Sequence, residues 1–162
     1  AFERARLALK RFDCLQLGWL SATTAGDTLA ICSRQLGCVW LMNADRLLMS
    51  SDTGTGTGRG IESLTARSPS HLRSMRSDLA VDSDAYSVGW GTTQRHVLAG
   101  EEKLTVRFDA RSGDVSFSIL SFSRPRHVFS VAAYPYVVLQ QRRFARDASR
   151  AMRRAALSRP LH

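Results

Sequence analysis

VVLQQRRFARDASRAMRRAAL, residues Val137–Leu157, holds no glycine or proline and is rich in strong helix formers, so it predicts one long helix. At about 100° per residue, Arg142, Arg143, Arg146, Arg150, Arg153 and Arg154 fall within an arc of roughly 120°. Val137, Phe144, Ala148, Ala151, Met152 and Ala155 lie on the opposite side. One face therefore asks for a core, and the other is a row of guanidinium groups. The i,i+4 pairs Arg142/Arg146, Arg146/Arg150 and Arg150/Arg154 repel one another, and Asp147 at the margin is the local compensation.

Outward from the helix, the clearest β pattern precedes it. Leu104, Val106 and Phe108 alternate with polar residues, as do Val115, Phe117 and Ile119, around the turn Arg111-Ser112-Gly113-Asp114. That arrangement predicts a β-hairpin. Further strands are expected from Trp19-Leu20-Ser21, Thr28–Ser33, Val39–Met49 and Tyr86–Gln94. Gly26-Asp27 marks a turn, and Arg124-Pro125 marks the end of the sheet. Pro135 sits where a helix start would accept it. At the other terminus Phe2, Ala5, Leu9 and Phe12 repeat at helical spacing.

The order helix, three strands, insertion, three strands, long helix predicts an α+β fold. It would be a curved antiparallel sheet with the C-terminal helix packed across one face, a helix-grip-like arrangement. At 162 residues one domain, 1–162, is expected. Residues 50–85 read as a surface insertion, dominated by Gly, Thr, Ser, Arg and Asp. The glycines of SSDTGTGTGRG satisfy neither a P-loop nor a dinucleotide fingerprint: Gly58 is followed by Arg59-Gly60, and neither Gly-x-Gly pair meets its third glycine.

Lys and Arg number 23 against 14 Asp and Glu, a formal net charge of +9. The basic set is almost entirely arginine, which favours bidentate contacts to phosphate or carboxylate. Cys14, Cys32 and Cys38 share no metal-binding spacing and read as small buried residues in a reducing compartment. His71, His96, His127 and His162 are scattered, so no metal or other cofactor is expected. Pro135 interrupts the longest apolar run, and no transmembrane helix is expected. The chain starts at Ala1 and not at Met, which fits a removed organellar presequence.

Four segments resemble a known family: FERARLALKRFDCLQLGW, GDTLAICSRQLGCVWLMNADRLL, VGWGTTQRHVLAGEEKLTV and the FSRP around Arg124. They are similar to the family called domain of unknown function 1990, whose members share a pattern like GYGTxxGHxxxGEExF followed by SxFSRP. The first motif falls here on His96, Gly100, Glu101 and Glu102, and the second on Ser121 to Pro125. Trp90 and Arg95 depart from the family's usual Tyr and Gly. The resemblance covers the chain outside residues 50–85. It implies a shared fold and carries no agreed activity.

Three readings of function follow. The arginine row, Arg142, Arg143, Arg146, Arg150, Arg153 and Arg154, would contact RNA phosphates without sequence specificity, or an acidic protein partner. On that reading the chain is a non-catalytic accessory subunit of a large RNA-containing assembly such as an organellar ribosome. Its place would be the organellar matrix, mitochondrial ahead of plastid, with the cytoplasm as the alternative. In the second reading, Trp19, Arg46, Trp90, His96, Glu101 and Phe117, with Trp40 and Phe122 nearby, would line a pocket for a small apolar, lipid-like ligand. In the third, His96 and Glu101 with Glu102 would serve a minor enzyme, although no nucleophile or oxyanion arrangement accompanies them. A membrane pore ranks last, because the alternating segments are too few for a closed barrel.

Overall fold

The structure, a computed structural model, describes residues 1–53, 83–93, 98–125 and 133–158. Six strands form one sheet in which every neighbour in space is a neighbour in sequence: β1 (Leu20–Ala25), β2 (Thr28–Gln35), β3 (Val39–Thr53), β4 (Ser83–Thr92), β5 (Leu98–Asp109) and β6 (Val115–Pro125). All pairs are antiparallel and the sheet does not close, since β1 and β6 are not paired. α1 (Phe2–Lys10) and a 3₁₀ turn (Asp13–Leu15) precede the sheet, and α2 (Tyr134–Leu157) follows it. The fold is α+β.

The hairpin of β5 and β6 has the register its alternation demands. Leu104 faces Ile119 and Val106 faces Phe117, so each strand's apolar set lies on one face. Gly113, with φ 75°, supplies the left-handed residue of the turn, and Asp109 Oδ1 accepts from the backbone N–H of Arg111 at 2.8 Å.

The core lies between this inner face and the helices. Leu9, Leu15, Leu29, Leu104, Val106 and Met152 are its largest fully buried side chains. Ala5, Ala8 and Leu9 place α1 against β4 and β5. The C-terminal half of α2 then packs on α1 and on the 3₁₀ turn through Ala148 and Met152. Pro135 stands in the first turn of α2, which starts at Tyr134, three residues before the Val137 start read from the pattern.

Two expectations shift at their edges. Ser50–Thr53 belong to β3 and Ser83–Ala85 to β4, where Thr53 pairs with Ala85, so the sheet includes both ends of the stretch 50–85. Residues 54–82 lie outside the described residues. The N-terminal helix ends at Lys10, and Phe12 in left-handed conformation turns the chain into the 3₁₀ segment.

No described helix is long and apolar enough to cross a membrane. The cysteines are free. Cys14 is buried as expected, but Cys32, out of phase with the inward Leu29 and Ser33 of β2, is half-buried, and Cys38, in the turn between β2 and β3, is exposed.

Candidate functional site

The N-terminal half of α2 bridges a gap. Two tethers bind it to the sheet: Gln141 Nε2 donates to Ser123 Oγ at 2.8 Å on β6, and Tyr136 Oη donates to Gln35 Oε1 at 3.0 Å on β2. Tyr136 Oη also accepts from the N–H of Leu36 at 3.0 Å and from Gln140 Nε2 at 2.5 Å. Leu36 is held at φ 49°, a left-handed conformation that a branched residue adopts at a cost. Beneath the helix lies a cavity of about 350 Å³, inside the range of small-molecule sites.

Its walls divide by chemistry. Trp19, Trp90, Val137 and Phe144 are apolar lining residues, with Leu15 and Leu20. Asn43, Asp45, Thr92, Glu102 and Ser121 line the remainder from β3, β4, β5 and β6. The strand period sets this division. Glu102 pairs with Trp90 on one side and Ser121 on the other, in phase with Leu104 and Val106, so its side chain shares their inner face. Asp45 is in phase with Leu41 and Asn43 and is only 4% exposed.

Burial in this setting pushes the Glu102 carboxyl up to about 8, with the negative charge of Asp45 adding to the effect. Burial also drives the Cys14 thiol up to about 12, assisted by Asp13 and Glu102. Gln140 adds a buried carbonyl: its Oε1 has no hydrogen-bond partner among the described residues.

Gly100 keeps β5 and β6 close at the same level. A Cβ there would stand 2.2 Å from the carbonyl oxygen of Phe122 and 2.8 Å from Ser123 Cα, so no side chain fits. Thr92 Oγ1 accepts from the Gly100 N–H at 2.9 Å. The glycine of the GEE motif thus fits the sheet where Glu102 enters the cavity.

The expected pocket residues are partly brought together. Trp19 and Trp90 line the cavity. Glu101 touches it, yet its side chain lies across the sheet: Gly91 and Glu101 pair, and a Cβ on Gly91 would stand 3.6 Å from Glu101 Cγ on the face opposite Trp90. Glu102, its neighbour, is the carboxylate that points in. Phe117 packs half-buried against the core and is not a wall. Trp40 is 55% exposed and Phe122 69% exposed, each on an outward position of its strand, although Phe122 also touches the cavity rim.

Arg46 does not line this cavity; with Leu48, Gly91, Thr93 and Glu101 it lines a separate depression. It is exposed, and its guanidinium meets Asp27 Oδ2 with Nε and Nη2 both at 3.1 Å. His96 lies outside the described residues. The alternation of Leu104 and Val106, continued two residues back, picks out Glu102 over Glu101 in the sequence itself. Asp45 and Gln140 carry no such mark, because β3 and α2 meet them only in three dimensions.

The arginine row runs along the outer face of α2. Arg142, Arg146, Arg150, Arg153 and Arg154 are exposed, and Arg143 is half-buried. Asp147 gathers three of the six: Arg146 Nε at 3.2 Å, Arg143 Nε at 3.7 Å and Arg150 Nη1 at 4.0 Å. The same carboxylate accepts from Trp19 Nε1 at 3.1 Å, while the Arg143 guanidinium stacks 4.2 Å above the Trp19 ring. Burial opposes the charge on Asp147, but the Trp19 N–H and the guanidiniums of Arg146 and Arg143 outweigh it and hold the carboxyl below its ordinary value.

Comparison with known proteins places this arrangement in context. A UPF0548 protein of Arabidopsis thaliana is 48% identical over 67 residues, 41% of this chain and 32% of its own length. One from Deinococcus radiodurans is 41% identical over 78 residues, 48% of this chain and 39% of its own. A third, from Dictyostelium discoideum, is 24% identical over 166 residues, 95% of this chain and 65% of its own. The matches span less than two thirds of these relatives' own lengths. No solved structure matches the chain. The family model described as Domain of unknown function (DUF1990) matches residues 1–151, and with the Gly100-Glu101-Glu102 and Phe122–Pro125 motifs in place the chain belongs to that family.

Proposed function

We propose that the protein is a binding module for a small, largely apolar molecule, held between α2 and the inner face of the sheet. The observation that carries this reading is the cavity of about 350 Å³ kept open by the tethers of Tyr136 and Gln141. A well-packed interior leaves few voids larger than a water molecule, so a space of this size under a helix is a feature to be explained. Binding, and not turnover, is the activity proposed: the described walls bring no nucleophile with an adjacent base. The test is stoichiometric binding of the neutral dye Nile red to delipidated protein. Binding at one site, abolished by Ser121→Trp with the fold retained, supports the reading; failure of the delipidated protein to bind the dye overturns it.

A second reading keeps the arginine face as a contact for RNA phosphates or an acidic protein. It is favoured by Arg142, Arg153 and Arg154, exposed on one side of α2, while Arg143, Arg146 and Arg150 already share Asp147. Six such charges would give a steep salt dependence if all met phosphate. Charge reversal of Arg146 and Arg150 to Glu tests it: release from a nuclease-sensitive assembly supports the contact, and unchanged co-sedimentation removes it. An organellar setting belongs to this reading alone.

A further inference from the structure

The charge inside the cavity runs against the charge of the whole. Of 23 lysines and arginines, none is among the described residues that line it, whereas Asp45, Glu102 and the edge of Glu101 are. One further polar atom of the lining leans the same way. Gln140 commits its amide N–H to Tyr136 and leaves its carbonyl oxygen buried without a partner among the described residues. Buried acceptors of this kind are ordinarily satisfied by a donor.

We propose that the cavity receives a small organic cation, a protonated amine on an apolar body of ring size. Its ammonium would lie against Asp45, Glu102 and the Gln140 carbonyl, and its body against Trp19, Trp90 and Phe144. This rests on the reading of the cavity as a ligand site and names the class of ligand. The mixed lining matches such a molecule: carboxyl and carbonyl oxygens accept its N–H groups, and aromatic faces attract a cation while covering an apolar body. A calcium ion would suit the site less well, since it asks for about six to eight oxygen ligands and no apolar wall. An anionic ligand would meet two carboxyls and no described cation.

The protonation of Glu102 supports the proposal independently of shape. Its carboxyl is pushed up to about 8 because burial and Asp45 disfavour its charge, and a cation placed beside it would reverse that balance. Among the described residues, the titratable groups that interact with it are Asp45 from β3 and the Cys14 thiol from the 3₁₀ turn; Trp90 and Ser121 flank it from β4 and β6, and Gln140 and Tyr136 line the same cavity from α2. Binding below pH 8 would therefore expel a proton from Glu102, and affinity would rise with pH up to that value.

The experiment uses three probes with one body and different heads: phenylbutylamine, phenylbutanol and phenylbutyrate, titrated calorimetrically into the whole chain at neutral pH. The amine is expected to bind about tenfold or more tighter than the alcohol, with the carboxylate weakest. Titration in two buffers of different ionisation enthalpy should show proton release with the amine and none with the alcohol. Glu102→Gln, whose amide preserves shape, should narrow the preference for the amine over the alcohol and abolish the proton release, with Asp45 keeping a residual preference. Equal binding of amine and alcohol by the unaltered protein, or preference for the carboxylate, overturns the amine proposal. Nile red bound with none of the three probes also overturns it and leaves the ligand site standing. Absence of both dye and probe binding overturns the two together.

Discussion

The indole N–H of Trp19 donates to Asp147 Oδ2 across 3.1 Å, joining the residue that leads into β1 to the middle of α2. Arg143 covers one face of that indole, and the cavity touches the same side chain. The pocket wall and the arginine row are thus one structure, with Asp147 as the shared group.

Asp147→Asn should therefore act on both. It removes a charged acceptor from an indole and from three guanidiniums, and a hydrogen bond to a charged group contributes about 1.5–3 kcal/mol when partly shielded. A loss toward the lower end of that range is expected in urea denaturation, because Asp147 is near the surface. The Asp147 contribution is present above the ordinary carboxyl value of 3.8, since its folded value is depressed, and is lost as pH falls through that lower value. Acid titration of the variant should lack this step.

Glu102 has the opposite sign. Its folded value, about 8, is above the ordinary 4.5, so the folded state holds a proton the unfolded state releases between those limits. Stability is fully present below pH 4.5 and declines as pH rises toward 8, by at most about 1.4 kcal/mol per unit. Glu102→Gln should flatten that decline, measured as the urea midpoint from pH 5 to pH 8; an unchanged slope would show that Glu102 is ordinarily ionised.

Gly100→Ala introduces a methyl group where a carbonyl oxygen would stand 2.2 Å away. Backbone must move, because the obstruction is Phe122 O and Ser123 Cα and not the end of a flexible side chain. A destabilisation of about 3 kcal/mol is expected, at the upper end for overpacking. Calorimetric melting measures it, and a Tm within a degree of the unaltered protein would contradict the packing described.

Met152→Ala tests the seat of α2. The side chain is 2% exposed among Leu9, Leu15 and their neighbours, and its truncation should cost about 2–5 kcal/mol. Met152→Leu keeps the volume and should cost less than about 1.5 kcal/mol. Similar effects of the two substitutions would mean that the helix end is loosely seated.

Leu104 and Val106 against Ile119 and Phe117 show why the sheet was legible in sequence: a two-residue period and a glycine turn fix both strands and register. Val137–Leu157 was legible for the same kind of reason, a 3.6-residue period with buried Ala148 and Met152 on its apolar side. The site was less so. Trp40 and Arg46 belong to outward positions of β3, whose exposed face is itself rich in large apolar residues, so hydrophobicity does not distinguish its two sides. Asp45 and Gln140 join the cavity from β3 and α2, elements far apart in sequence, and their meeting depends on the curvature of the sheet and the stand-off of the helix. The repulsion along the arginine row was visible, but the share of it absorbed by Asp147 depends on rotamers and on Trp19.

Thr53 faces Ala85 across a regular antiparallel pair, and Thr53 Oγ1 donates to the Ala85 carbonyl oxygen at 3.2 Å. Whatever chain runs from 54 to 82 must therefore leave and return at a single point. Doubling the length of such a closed excursion adds only about 0.6 kcal/mol of closure entropy, so the strand pair is nearly indifferent to how much polypeptide it carries there. The tip of β3 and β4 is in effect a docking port for cargo: a tight Asn-Gly hairpin, an epitope tag or a whole folded domain could be spliced in while the opposite end of the sheet, with Asp45 and Glu102, keeps its geometry.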